Sequence, residues 1–482
     1  MREVAYAASV NELLGWDQET GMPERGLELR AGQLQWLSGL RHRLSTAPEV
    51  GDWIKACEDA GYAADSAEGV NVREWRRDYD RVVKLPDRLV EDIAGASSRA
   101  LHEWSQARAA SDFSLFLPHL EKLVALAREK AECLGYARDR YDALLDEHEP
   151  GSTTQALQAL FDSFQPGLSV IALEAAERSA ARPGSLPAGE YPVAAQVAFN
   201  AAVSEAFGFD FTGGRVDATT HPFCSGFGPG DVRLTTRYDI ADFSDSLYSV
   251  LHECGHGLYE QGLLESAWGS PCGQAASLGI HESQSRLWEN HVGRTVEFWQ
   301  RWLPVAAQHF PQLAKTTPEQ LSLAVSRVQP SFIRVEADEV TYDLHVILRF
   351  RIEAALFDGS LRPADVPAAW NEQMKLLLDL DVPDDRRGCL QDIHWSMGGF
   401  GYFPTYTLGN INAAQLMNAA HDQQPGLPSS LAAGEYSPLL TWLRTNIHHQ
   451  GRRYQPADLI QRATGAAPDP RHRLAYLRAK YL

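Results

Sequence analysis

Cysteine is scarce in this chain: six residues in 482, with no C-x-x-C pair among them. So few, so dispersed, exclude a disulfide framework and suit a reducing compartment. Cys57, Cys133, Cys224, Cys254, Cys272 and Cys389 are therefore read as buried free thiols. Positive charge is also in short supply: 44 Lys and Arg stand against 63 Asp and Glu, for a formal net charge of −19. Such a balance excludes broad association with phosphate backbones or anionic lipid surfaces, so neither nucleic acid nor membrane is an expected partner. No apolar run approaches the roughly 18 residues that a membrane-spanning helix needs. The opening Met1-Arg2-Glu3-Val4-Ala5 has no basic flank leading into an apolar stretch, and the expected location is the cytoplasm. Long polar linkers and internal repeats are missing too. Ala181–Pro187 and Gly228-Pro229-Gly230 only punctuate the chain.

What is present is a large apolar fraction, 44%, with 12 Trp, 16 Tyr and 18 Phe, enough for a well-packed enzyme-sized body. Up to about residue 182 the sequence reads as successive amphipathic helices. Phe116–Leu134 is one, with apolar residues three and four apart. Asp231–Tyr238 alternates after a Pro-Gly turn and reads as a strand, so a small sheet on a helical body is expected.

Asp242–Tyr259 opens with helix-capping residues and continues with helical apolar spacing. It contains His252-Glu253-Cys254-Gly255-His256. One turn apart on a helix, two imidazoles can share a metal ion, and the intervening carboxylate can take a proton from water and deliver it to a leaving amine. Cys254 points almost the opposite way, into the core. A third ligand is needed. Glu282 is the natural candidate, sharing a helix face with Ser285, Arg286 and Glu289, while His281 competes on chemistry alone.

Two further segments stand out. Arg334, Asp338, Thr341 and His345 recur at spacings of four, three and four, which predicts one polar helix face. There Arg334 could grip a carboxylate and Asp338 could orient a ligand imidazole, or the two could form a plain surface ion pair. The stretch Gly388–Tyr406 is rich in glycine and aromatics. Its His394, Tyr402 and Tyr406 are suitable donors to an oxyanion, and a packed aromatic loop is the alternative.

Together these residues resemble the metallocarboxypeptidases typified by carboxypeptidase Taq. Six segments carry the likeness: His221-Pro-Phe223, Asp231-Val-Arg-Leu-Thr235, His252-Glu-Cys-Gly-His256, His281-Glu-Ser-Gln284, Ile333-Arg-Val-Glu-Ala-Asp338 and Gly388-Cys-Leu-Gln-Asp-Ile-His-Trp395. The opening Leu14–Pro23 is similar as well. The resemblance implies a mainly α fold: a large saddle-like helical body with a deep groove and a small antiparallel β-sheet beside the metal site. It implies a single peptidase domain over 1–482, with 1–182 as helical scaffold and 183–482 supplying metal site and groove walls. It further implies a homodimer that releases single C-terminal residues from peptide substrates with broad preference and poor activity beside proline.

By the same likeness His252, His256 and Glu282 bind the metal; zinc and cobalt both fit two imidazoles and a carboxylate, and the H-E-x-x-H spacing makes Glu253 the general base and acid. Arg334 binds the terminal carboxylate, with Arg233 as second option. Tyr406, ahead of Tyr402, stabilises the oxyanion alongside His394. An endo-acting oligopeptidase with the same metal centre and a non-catalytic peptide-binding metalloprotein are the alternatives.

Overall fold

Asp242 accepts a hydrogen bond from the Ser244 amide at 2.8 Å, and from Phe243 the chain runs helical to Gly262. Leu247, Leu251, Cys254 and Leu258 repeat along one side of that helix and are fully buried. His252 and His256 are left on another face, half-buried. Ser277 caps the next helix, Leu278–Arg286, through the Ile280 amide at 3.0 Å.

These two helices meet at Gly255. A Cβ placed there would lie 2.5 Å from Ser285 Cα and 2.6 Å from the Gln284 carbonyl oxygen, so the backbones touch only because residue 255 has no side chain. After Arg286 the helix widens into a π-helical stretch, Leu287–Gly293, with bonds reaching five residues on.

The computed structural model of the chain describes all residues except Pro183, so that part of the Ala181–Pro187 punctuation lies outside the described residues. The protein divides into two units. The first comprises Met1–Val82, Gly184–Val325 and Asn412–Pro468, and the second Val83–Pro183, Ser326–Ile411 and Asp469–Leu482. The first unit's core gathers Phe199, Phe243, Leu247, Trp288, Trp299 and Tyr436. The second unit packs helices Phe113–Leu134, Thr154–Ala181 and Tyr342–Asp358 around Phe161, Phe350, Leu348 and Trp370.

The small sheet belongs to the first unit: β1 Gly214–Ala218, β2 Cys224–Gly228 and β3 Asp231–Thr236. It is mixed, where an antiparallel sheet is expected from the sequence. β2 and β3 form an antiparallel hairpin around Pro229-Gly230, and β1 lies parallel to β3 on its other side. Two reversals of direction, with β3 in the middle, leave the first and third strands pointing the same way. Val232 and Leu234 are buried, and Leu234 packs so near Gly257 that a Cβ on the glycine would come within 2.9 Å of it.

The polar spacing around Arg334 does not form one helix face. Arg334–Glu336 is a single 3₁₀ turn, and the α-helix begins only at Tyr342. Asp338 accepts from the amides of Val340 and Thr341 at 2.9 and 3.0 Å, a local turn that competes with helix. All six thiols are unpaired, though only Cys254, Cys272 and Cys389 are buried. Among the described residues no helix is long and apolar enough to cross a membrane.

Gly255→Ala should destabilise the protein by about 1–3 kcal/mol, the usual cost of overpacking, and should carry Glu282 away from the two imidazoles. Denaturant unfolding checks this; a midpoint equal to that of the unaltered protein would mean the crossing relaxes freely.

Candidate metal centre

Three ligand atoms converge between the two crossing helices. His252, His256 and Glu282 each offer one atom, all within 4.8 Å of one another. Glu282 Oε2 lies 3.7 Å from His252 Nε2 and 3.5 Å from His256 Nε2. Donors about 2.0–2.1 Å from a tetrahedral zinc ion sit about 3.4 Å apart, so the spacing fits such an ion with a fourth position left for water.

Burial and charge prepare these groups. Burial pushes the His256 imidazole down to about 3, with the neighbouring His281 acting in the same direction, so it is neutral and able to donate its lone pair. Burial also opposes ionisation of Glu282, but Arg286 and His252 outweigh it and hold the carboxyl well below the usual range. Burial would lower His252 as well; there Glu282 and Glu289 prevail and raise it. Glu253 is 6% exposed, and burial pushes it up to about 7 against the pull of His252. A carboxyl poised there suits proton transfer near neutrality.

The far nitrogens of the imidazoles are also engaged. His252 Nδ1 faces Glu289 Oε2 at 3.0 Å, and Arg286 and Arg294 hold Glu289 in turn at 3.4 and 3.0 Å. His256 Nδ1 faces His281 Nδ1 at 2.5 Å, whose Nε2 faces Glu260 Oε1 at 2.7 Å. His281 thus stands behind His256. The sequence places Glu289 on the Glu282 face and Glu260 one turn beyond His256, which was the available signal for both.

The second unit holds its own constellation. His394 Nε2 lies 3.2 Å from the Tyr406 hydroxyl, and the Tyr402 ring is 5.2 Å from His394 and 5.4 Å from Tyr406. Burial, aided by Arg334, pushes His394 down to about 3, leaving a neutral ring beside the tyrosine. Arg334 spans Asp392 at 2.9 Å and the Tyr342 hydroxyl at 2.7 Å, with its guanidinium over the Tyr406 ring. Arg349 grips the other oxygen of Asp392 at 2.6 Å.

Beneath them, buried Glu353 accepts from Trp395 Nε1, the Gly401 amide and the Tyr141 hydroxyl. Gly401 has φ of +85° and backs onto the Leu144 backbone, so this turn admits only glycine. Arg233, in the first unit, pairs with Asp231 at 3.0 Å and lies between the Trp16 and Phe227 rings. Asp338 serves its local turn, and the groups facing the metal-site imidazoles are Glu289 and His281.

The family model described as carboxypeptidase Taq (M32) metallopeptidase matches residues 1–481. Thermostable carboxypeptidase 1 of Thermus thermophilus is 45% identical over all of this chain and 96% of its own length. Carboxypeptidase 1 of Bacillus subtilis is 34% identical with the same coverage. The crystal structure of the M32 carboxypeptidase from Deinococcus radiodurans R1 superposes with a TM-score of 0.94 at 38% identity, covering 99% of this chain and 96% of that one.

Glu353 generates a pH prediction. Burial raises it from 4.5 to about 7, against the three donors that favour the ionised form. A carboxyl raised in the folded state contributes stability that is fully present below pH 4.5 and is lost as pH rises through 7. Glu353→Gln should therefore flatten the fall in melting temperature between those pH values. Parallel curves for the two proteins would show that Glu353 does not titrate in that window.

Proposed function

The chain belongs to the carboxypeptidase Taq (M32) family of metallopeptidases and is a metallocarboxypeptidase, and from that premise we propose that His252, His256 and Glu282 hold its metal while Glu253 moves the proton. The convergence of those three ligand atoms within 4.8 Å is the observation that carries the reading. Zinc suits two imidazoles and one carboxylate, and cobalt suits them too. When bound, the ion supplies Lewis acidity that polarises the scissile carbonyl and acidifies water.

Glu253 takes the proton from the attacking water and hands it to the departing amino acid, a role its position near neutrality supports. Family likeness assigns the developing oxyanion to Tyr406, ahead of Tyr402, and within the second unit the neutral His394 lies within hydrogen-bond distance of the Tyr406 hydroxyl. Arg334 attracts the substrate's terminal carboxylate. The residue is 3% exposed and already paired, but Arg334 and Arg349 share one carboxylate, Asp392, and the trio keeps a net positive charge. Arg233 carries this role less well, since Asp231 and the two rings occupy it. The unpaired cysteines support a cytoplasmic setting, and the homodimer rests on family likeness.

An N-blocked peptide and its C-terminally amidated twin, each with and without chelator, test the reading by product mass. Single residues should leave the free acid only, and chelator should stop their release. Internal cleavage of both peptides would point to an endo-acting enzyme. Glu253→Gln should keep metal and fold and lose turnover by about 10²–10⁴-fold; near-normal turnover at full metal occupancy would remove Glu253 from its role.

A further inference from the structure

The hydrogen bonds behind the metal site admit one arrangement of protons once the ligand atoms are fixed. Both Nε2 atoms face Glu282. As ligands they must offer lone pairs, so each ring carries its hydrogen on Nδ1. His252 then donates directly to the Glu289 carboxylate. His256 cannot do the same, because its Nδ1 meets another imidazole nitrogen, His281 Nδ1, at 2.5 Å. That atom has to accept, which places the His281 hydrogen on Nε2, where Glu260 Oε1 receives it at 2.7 Å. Glu260 accepts only, so the direction of donation along the chain is closed at that end.

The end is also held in place. Glu260 lies one helical turn beyond His256 and packs against β2, where a Cβ on Gly226 would come within 2.4 Å of Glu260 Oε2. The bare strand leaves room for the carboxylate and little room for it to move.

We infer that His281 and Glu260 are positioning residues that lock His256 in the tautomer and ring orientation whose Nε2 binds the metal. The inference rests on His256 being a ligand. His281 is thereby removed from the ligand set, with both its nitrogens committed. One histidine is steered by a carboxylate directly and the other through a neutral imidazole, so the two arms of the site are tuned separately.

Zinc affinity of metal-stripped protein, measured by competition with a chromophoric chelator, tests this without recourse to turnover. His281→Phe removes the acceptor and should weaken zinc binding by roughly 10–100-fold, the usual effect of losing such a partner. His281→Asn places Oδ1 where Nδ1 was and should restore affinity to within a few-fold. Glu260→Leu frees the relay to turn over and should lose at least about threefold.

Circular dichroism confirms that each variant folds, and His256→Ala serves as control. If His256→Ala abolishes tight binding while His281→Phe stays within twofold, the relay is overturned and the ligand assignment stands. If His256→Ala itself leaves zinc affinity unchanged, the ligand assignment has failed. Equal losses in His281→Asn and His281→Phe would overturn the acceptor role, and an unaltered Glu260→Leu would overturn that of Glu260.

Discussion

Everything at the metal centre depends on a backbone contact. Helix Leu278–Arg286 touches helix Phe243–Gly262 at Gly255, between the two histidines that face it. A helix pair normally stands 8–10 Å apart because side chains intervene. Removing the side chain at the crossing lets a short glutamate arm, with only two methylenes, reach the space between two imidazoles.

Closeness of this kind gathers charge that burial resists. Glu282 and Glu289 are both buried and ionised, and a buried carboxylate without a partner costs several kcal/mol. Arg286 and Arg294 answer them, one contacting both carboxylates and the other Glu289 alone. Two negative and two positive groups balance, and Glu253 is left as the carboxyl nearest to exchanging its proton. The second unit is weighted the other way, with one carboxylate, Asp392, shared by two guanidiniums.

How much of this could be read from residues alone depended on the reach of each interaction. The capped helix, its apolar side and the face shared by His252 and His256 are local consequences of helical spacing, and all appear in the structure. The glutamate helix was legible for the same reason. The Arg334 segment was not, because Asp338 bonds to nearby amides and breaks the periodicity that its spacing suggested. The parallel pairing of β1 with β3 was hidden as well, since strand order is set by packing across the sheet. His281 looked like a rival ligand because ligand chemistry is the same for every histidine; only its 2.5 Å approach to the back of His256 separates the two.

The π-helical stretch Leu287–Gly293 has a consequence for how this segment tolerates change in length. It holds one more residue per turn than an α-helix would, and within it Glu289 meets His252 while Arg294, just beyond, reaches back to Glu289. Deleting a single residue here would let the backbone relax into regular α-helix, with no loss of hydrogen bonds along it. The helix beyond would keep roughly its phase, since the wider turn only absorbs the extra residue, but Glu289, inside it, would change its place relative to His252. All seven residues of the stretch are buried, so it tolerates little change of side chain and almost no change of count.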